Sequence, residues 1–242
     1  MQKLLINGKK ELSGKILISG SKNAALPILA ATILSNKVKL TNIPLVRDIF
    51  TMVELLKFIG LKTNILKSRN IIEIKNIRKN VKTLAPYKLV KTMRAGVLVL
   101  GPLLAKYKKA KISLPGGCAI GTRPVDIHLF GLKKLGANIK IKNGYILADA
   151  KKGLTGTKIR FPSISVGATE NVIIAASLAK GTTYLKNCAC EPEIKNLTDF
   201  LKKMGVKISW IKKREIKIVG NKRLKRVSHN VMLTELKLEH SS

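Results

Sequence analysis

FLKKMGVKISW, Phe200–Trp210, is one of three versions of a single pattern in this chain. The others are GLKKLGANIKI, Gly131–Ile141, and LLKFIGLKTNI, Leu55–Ile65. Each reads as the last turns of a helix, a glycine at the C-cap (Gly60, Gly136, Gly205) and then an alternating strand. The glycines recur every roughly 70 to 75 residues, the scale of one supersecondary unit. Longer segments match too. GKILISGSKNAALPILAATIL from Gly14 parallels GTKIRFPSISVGATENVIIAASLA from Gly156, each a strand, a small-residue turn and an apolar helix. The pattern predicts a strand–helix–strand–helix–strand–strand (βαβαββ) unit used three times.

MRAGVLVLGPLLA, Met93–Ala105, is apolar nearly all round, and such a helix has to be buried on every side. The expected class is therefore α/β with the helices inside and the sheets outside.

The chain has 242 residues, 45% of them hydrophobic, enough for one large domain or two small ones. Three cysteines, an odd number, do not suggest a disulfide framework, which points to a reduced cytoplasm. The start, MQKLLINGKKELSG, has neither the apolar stretch nor the cleavage site of a signal peptide. The most apolar window, Ala95–Ala105, falls short of the about 20 residues a bilayer span needs.

A formal net charge of +34 invites a nucleic-acid reading, but three features argue against it. The basic residues are spread along the chain. Lysines outnumber arginines 38 to 9, whereas specific recognition favours the guanidinium fork. Aromatic content is 4%, which leaves few stacking platforms. Anionic small substrates remain compatible with the charge.

Two segments carry candidate chemistry. In ISGSKNAALP, Ser21 can cap a helix opening at Lys22, with Asn23 in its first turn, which makes an anion site at a helix N-terminus. An ordinary capped helix with a solvated lysine is the alternative. In SLPGGCAIGTRPVD, Ser113–Asp126, glycines leave Cys118 with little to bury it, and Pro124 suits the first turn of the next helix. Arg123 at that entrance can grip a phosphate or carboxylate. Cys188 and Cys190 lack further metal-ligand partners at zinc-like spacing and read as incidental. His128 reads as a surface or packing residue.

SGSKNAALPILAA, APYKLVKTMRAGVLVLGPLLA, LPGGCAIGTRPVDIHLFGLKKLGA, SVGATENVIIAASLAKGTT and EPEI occur in one order. Together they resemble the enolpyruvyl transferases from about Met1 to Met232, and within them the branch acting on UDP-N-acetylglucosamine. The shikimate-pathway branch shares the architecture and lacks the cysteine loop. The resemblance implies an inside-out α/β barrel, with residues 22–224 as one complete domain. Residues 1–21 would be a strand belonging to a second domain, and 225–242 the start of a crossover with its tail.

The resemblance also implies transfer of the enolpyruvyl group of phosphoenolpyruvate to a sugar 3'-hydroxyl with release of phosphate. Cys118 would donate the proton to the methylene and could form an adduct with phosphoenolpyruvate. Lys22, Asn23 and Arg123 would bind phosphoenolpyruvate. Arg94, Arg123, Pro124, Val125, Asp126, Ile127, Ser165, Val166 and Gly167 would bind the nucleotide sugar. No metal or cofactor is implied. The setting would be cytoplasmic peptidoglycan synthesis, and hence cell-wall biogenesis, cell shape, the cell cycle and division.

Enzymes of this family are longer, with two similar domains and the site between them, and a catalytic aspartate and a further arginine come from the other domain. After HNVM they continue with a PDRIETGTF-like motif, where this chain reads LTELKLEHS from Leu233. Those residues can be encoded CTG ACA GAA TTG AAA CTG GAA CAT TC. One C added in front gives PDRIETGTF. The expectation is a single-base frameshift after Met232 and little or no turnover by the chain as written. It would then be at most a remnant that binds the nucleotide sugar, unless a separately encoded second domain joins it.

Overall fold

Each repeated segment folds as a helix stopped by a glycine of positive φ, followed by a strand. Gly60, Gly136 and Gly205 have φ of 114°, 95° and 97°, a region that side chains enter at a cost. The computed structural model describes residues 18–77, 81–114 and 125–233, together with Leu5 and Gly8.

The first unit runs α1 (Lys22–Ala31, prolonged by a 3-10 turn at Thr32–Leu34), β1 (Lys37–Thr41), α2 (Arg47–Ile59), β2 (Leu61–Leu66) and β3 (Ile71–Asn76). The second has β4 (Leu84–Ala85), α3 (Tyr87–Val90), a 3-10 stretch at Arg94–Val99, α4 (Leu100–Tyr107), β5 (Lys109–Ser113), α5 (Asp126–Lys134), β6 (Asn138–Lys142) and β7 (Tyr145–Asp149). The third has β8 (Lys158–Arg160), α6 (Val166–Ala176), β9 (Thr182–Lys186), α7 (Pro192–Lys203), β10 (Lys207–Lys212) and β11 (Glu215–Val219). A last strand, β12, covers Val227–Asn230.

Three four-stranded sheets result, ordered β12-β1-β3-β2, β4-β5-β7-β6 and β8-β9-β11-β10. In each, the first pair is parallel and the remaining pairs are antiparallel. The parallel edge strand precedes its partner in units two and three. In unit one it is β12, with Val38 opposite Val227. The Thr41 hydroxyl donates to Asn230 Oδ1 at 2.8 Å and Asn42 Nδ2 donates to the Val231 carbonyl at 2.9 Å. A domain boundary at Leu224 falls short of this strand, whose His229 is buried and whose backbone fills the edge of β1. Gly20 bridges Leu233, and the Ser21 amide donates to the Met232 carbonyl at 2.8 Å. The rest of the strand expected from Gly14 lies outside the described residues.

Helices sit inside and sheets outside. Every residue of α1 from Ala24 to Ala31 is buried, as is every residue of α6 from Ala168 to Ala176. In α4, Leu100 to Leu104 are buried, and α4 packs on α6, which also touches α1. The strands alternate. Val38 and Leu40 of β1 point to the core while Lys37 and Lys39 face solvent, and Ala110 and Ile112 of β5 alternate with Lys109 and Lys111 in the same way. Much of the positive charge is therefore laid over outer sheet faces.

The apolar segment 93–105 is not one α-helix: it is 3-10 to Val99 and α-helical from Leu100. Two causes coincide. The side chain of Asn171 on α6 enters the ladder, its Oδ1 accepting from the Gly101 amide at 2.6 Å and its Nδ2 donating to the Val97 carbonyl at 3.0 Å. An unbroken helix would have bonded that amide to that carbonyl directly. Pro102, one residue on, has no N–H for the Leu98 carbonyl. Gly101 is required here, because a Cβ would collide with both Asn171 Oδ1 and the Asn171 carbonyl.

Cys188 is buried and its thiol donates to the Arg214 carbonyl at 3.1 Å. Burial pushes its pKa up to about 12, so it is an inert core thiol. Among the described residues no helix is long and apolar enough to cross a membrane.

Candidate active site

Six helical segments begin at one cleft of about 780 Å³. Lys22 and Asn23 come from the start of α1, Asp48 from α2, and Arg94 from the 3-10 stretch. Val125 stands immediately before α5, and Ser165, Val166 and Gly167 form the entrance of α6. Glu191 and Glu193 flank the start of α7. The repeat explains the convergence: related units carry their helices in the same sense, so the N-termini gather at one end.

Backbone N–H groups left free at helix starts, and the positive ends of the helix dipoles, favour anions. In two of the six, serine caps the helix. Ser21 Oγ accepts from the Ala24 amide and Ser165 Oγ from the Ala168 amide, each at 3.3 Å. These are the corresponding helices of units one and three, as the matching segments from Gly14 and Gly156 predicted.

The acidic side chains at these termini follow from the same field. Asp48 and Glu193 lie in first turns, where a carboxylate interacts favourably with the dipole. Lys22 Nζ meets Asp48 Oδ2 at 3.0 Å. The pair is partly exposed, so it contributes little stability and leaves the ammonium available to a ligand.

Two buried groups of the wall are held neutral. Burial pushes the Glu170 carboxyl well above its usual range, and Glu193 and Glu191 push it further in the same direction. Burial, then the Arg94 guanidinium, lowers the His128 pKa to about 4. His128 Nδ1 lies 3.2 Å from Asn171 Nδ2. The cleft thus combines the cations Lys22 and Arg94, helix N-termini, the carboxyls of Asp48, Glu191 and Glu193, a buried carboxyl whose charged form is disfavoured and a neutral imidazole.

Of the residues proposed from sequence, the structure brings Lys22, Asn23, Arg94, Val125, Ser165, Val166 and Gly167 into one wall. Asp126 and Ile127 occupy the first turn of α5 beside Val125. Cys118, Arg123 and Pro124 lie outside the described residues. Sequence reasoning missed Asp48, Glu170, Glu191 and Glu193. Glu191 and Glu193 stand in the EPEI segment, where two acids at a helix start were the available signal. His128 is a packing residue as read, yet it also lines the cleft.

Comparison with known proteins adds the relationships. The family EPSP synthase (3-phosphoshikimate 1-carboxyvinyltransferase) matches residues 6–233. The chain is 60% identical over 233 residues to UDP-N-acetylglucosamine 1-carboxyvinyltransferase of Pelagibacter ubique, covering 96% of this chain and 55% of that protein. It is 50% identical to the enzyme of that name from Endomicrobium trichonymphae, with the same coverage. The Rickettsia bellii protein of that name is 51% identical, covering 96% and 56%. The chain spans about half the length of the curated relatives it matches. Among solved structures, the enolpyruvyl transferase NikO from Streptomyces tendae superposes with a TM-score of 0.81 at 18% identity, covering 93% of this chain and 53% of that one. EPSP synthase from Acinetobacter baumannii gives 0.73 at 18%, covering 90% and 49%. At that identity the likeness establishes the shared inside-out α/β fold.

Proposed function

The chain belongs to the EPSP synthase family of enolpyruvyl transferases, and on that premise we propose that it is the nucleotide-sugar-binding half of a UDP-N-acetylglucosamine 1-carboxyvinyltransferase. The observation that carries this reading is the cleft itself. Six helical segments begin there, with Lys22 and Arg94 in its wall, and both substrates are multiply charged anions.

The reaction is an addition followed by an elimination. The sugar 3'-oxygen bonds to C2 of phosphoenolpyruvate as its hydroxyl proton passes to a general base, the aspartate expected from the other domain, while C3 accepts a proton from the Cys118 thiol. This gives a tetrahedral intermediate that still carries its phosphate. Return of a C3 proton to the Cys118 thiolate then expels inorganic phosphate, restores the double bond as an enolpyruvyl ether and regenerates the thiol. Lys22 and Arg123 hold the phosphate and carboxylate of phosphoenolpyruvate, with Asn23 beside them. Arg94, the run Arg123 to Ile127, and Ser165 to Gly167 hold the nucleotide sugar. Cations and helix N-termini stabilise the charge of the intermediate without reorganising. Cys118 could also hold phosphoenolpyruvate as an adduct. The work belongs to cytoplasmic peptidoglycan synthesis, and so to cell shape, the cell cycle and division.

The relatives are nearly twice as long, and holding both reactants in register is worth many orders of magnitude in rate. Residues 1–233, which match about half of those relatives, are therefore expected, taken by themselves, to bind the nucleotide sugar and to turn over little or not at all. Calorimetric titration with UDP-N-acetylglucosamine and, separately, shikimate 3-phosphate tests the reading. Binding of the first alone supports it. Binding of the second alone would move the chain to the shikimate branch. Phosphate release assayed with and without the second half of a relative's chain tests the division of labour.

A further inference from the structure

Asn171 makes contacts that its position in a fully buried helix does not require. It is 0% exposed, and its amide reaches two other segments of the cleft wall. Oδ1 accepts from the Gly101 amide, Nδ2 donates to the Val97 carbonyl, and Nδ2 also faces His128 Nδ1 at 3.2 Å. Val97 belongs to the 3-10 stretch that begins with Arg94, and His128 belongs to α5. Asn171 itself stands one turn beyond Ser165–Gly167 on α6.

The partners settle which way the amide points. A backbone N–H can only donate and a carbonyl can only accept, so the oxygen must face Gly101 and the nitrogen Val97. The second hydrogen on that nitrogen then points at His128 Nδ1. That ring nitrogen must accept, because a hydrogen on both atoms would clash. The imidazole therefore carries its single proton on Nε2. The Nε2 edge lies against the first turn of α6, where a Cβ on Gly167 would come within 3.1 Å of His128 Cε1 and 3.3 Å of Nε2. His128, Arg94 and Gly167 all line the cleft.

We propose that Asn171 is a positioning residue: it joins the 3-10 stretch to α5 and α6 and fixes His128 as a neutral donor whose Nε2–H serves an acceptor oxygen of the bound nucleotide sugar. The burial that lowers the His128 pKa to about 4 is consistent with an imidazole that stays neutral while bound to an anion. A charged imidazole would grip any phosphate, whereas a neutral N–H held at one angle selects by geometry. The identity of the ligand rests on the reading under Proposed function; the protonation site does not.

The test is nitrogen-15 and proton NMR of the full chain labelled at histidine, without ligand, at neutral pH. The expected spectrum shows His128 with a proton on Nε2 and none on Nδ1. A proton on Nδ1, or a mixture of tautomers, overturns the proposal. Asn171→Asp keeps an acceptor for the Gly101 amide but offers no hydrogen to His128, so the proton is expected to appear on Nδ1. An unchanged tautomer in a variant with native circular dichroism also overturns it. Should that variant not fold, the spectrum of the unsubstituted chain still decides. His128→Phe leaves Asn171 in place and is expected to weaken UDP-N-acetylglucosamine binding about tenfold, the equivalent of one hydrogen bond. Unchanged affinity removes the donor role. If the unsubstituted chain does not bind the nucleotide sugar, the functional reading fails while the tautomer result stands.

Discussion

The outer faces of the sheets and the cleft carry charge in opposite ways. Lys37, Lys39 and Lys109 stand exposed at alternate strand positions, and Lys111 in the same face lies over the Tyr145 ring at 4.7 Å. In the cleft, by contrast, neighbours and burial single out particular groups. Lys22 pairs with Asp48, burial and then Glu193 and Glu191 disfavour the charged form of Glu170, and burial keeps His128 neutral. The large net charge is thus mainly a property of composition. The chemistry resides in a few groups whose states are imposed by where the helices begin.

That contrast can be broken at its root by loosening the buried contact behind the cleft. Gly101→Val puts a side chain where Asn171 lies and is expected to cost about 3 kcal/mol or more, read from urea unfolding. A midpoint equal to that of the unsubstituted chain would mean that α4 and α6 do not approach so closely.

Next in size is the dependence on acid. The folded pKa values of His128 and His229 are about 4, against 6.5 when unfolded. Between those values the unfolded chain binds more protons, so stability falls as pH drops through that window. Each histidine contributes on the order of 3 kcal/mol as an upper limit. Unfolding free energies at several pH values from 6.5 to 4 give the slope. Glu170 opposes this: above its usual 4.5 the unfolded carboxyl loses a proton that the folded one keeps, so its contribution falls as pH rises. Glu170→Gln removes that penalty. The variant is expected to melt a few degrees higher than the unsubstituted chain at neutral pH, with the gap closing towards pH 4.5.

Single charges then separate the two regions. Lys22→Ala is expected to weaken the binding of phosphoenolpyruvate or the nucleotide sugar about tenfold, with less than about 1 kcal/mol lost in stability. Lys109→Gln should shift stability by about 0.5 kcal/mol or less and leave binding unchanged at fixed ionic strength. Equal binding effects from the two substitutions would show that net charge, not placement, attracts the ligand.

How much of this was legible follows from the range of each interaction. Gly60, Gly136 and Gly205 announce helix ends through local backbone chemistry, so the three repeats could be read directly from the chain. Ser21 and Ser165 announced their helices for the same reason. The break at Val97–Gly101 had one readable cause, Pro102, and one that could not be read, Asn171, on a different unit. Asp48 and Glu170 gave no local sign either, since their meaning comes from Lys22 and from Glu193 across the cleft. The role of the Cys118 loop rests on resemblance alone, as that loop lies outside the described residues.

The closing strand of the first sheet has a consequence in time. Asn230 follows Thr41 by 189 residues, which at about 5–20 residues per second is roughly 10 to 40 seconds of synthesis. Throughout that interval β1 leaves the ribosome with an unfilled parallel edge, a template for any stray strand. Units two and three carry their own edge strands and can complete their sheets as they emerge. Of the three units, the first made is therefore the last to be sealed, and its open edge is where a nascent chain would most need a chaperone.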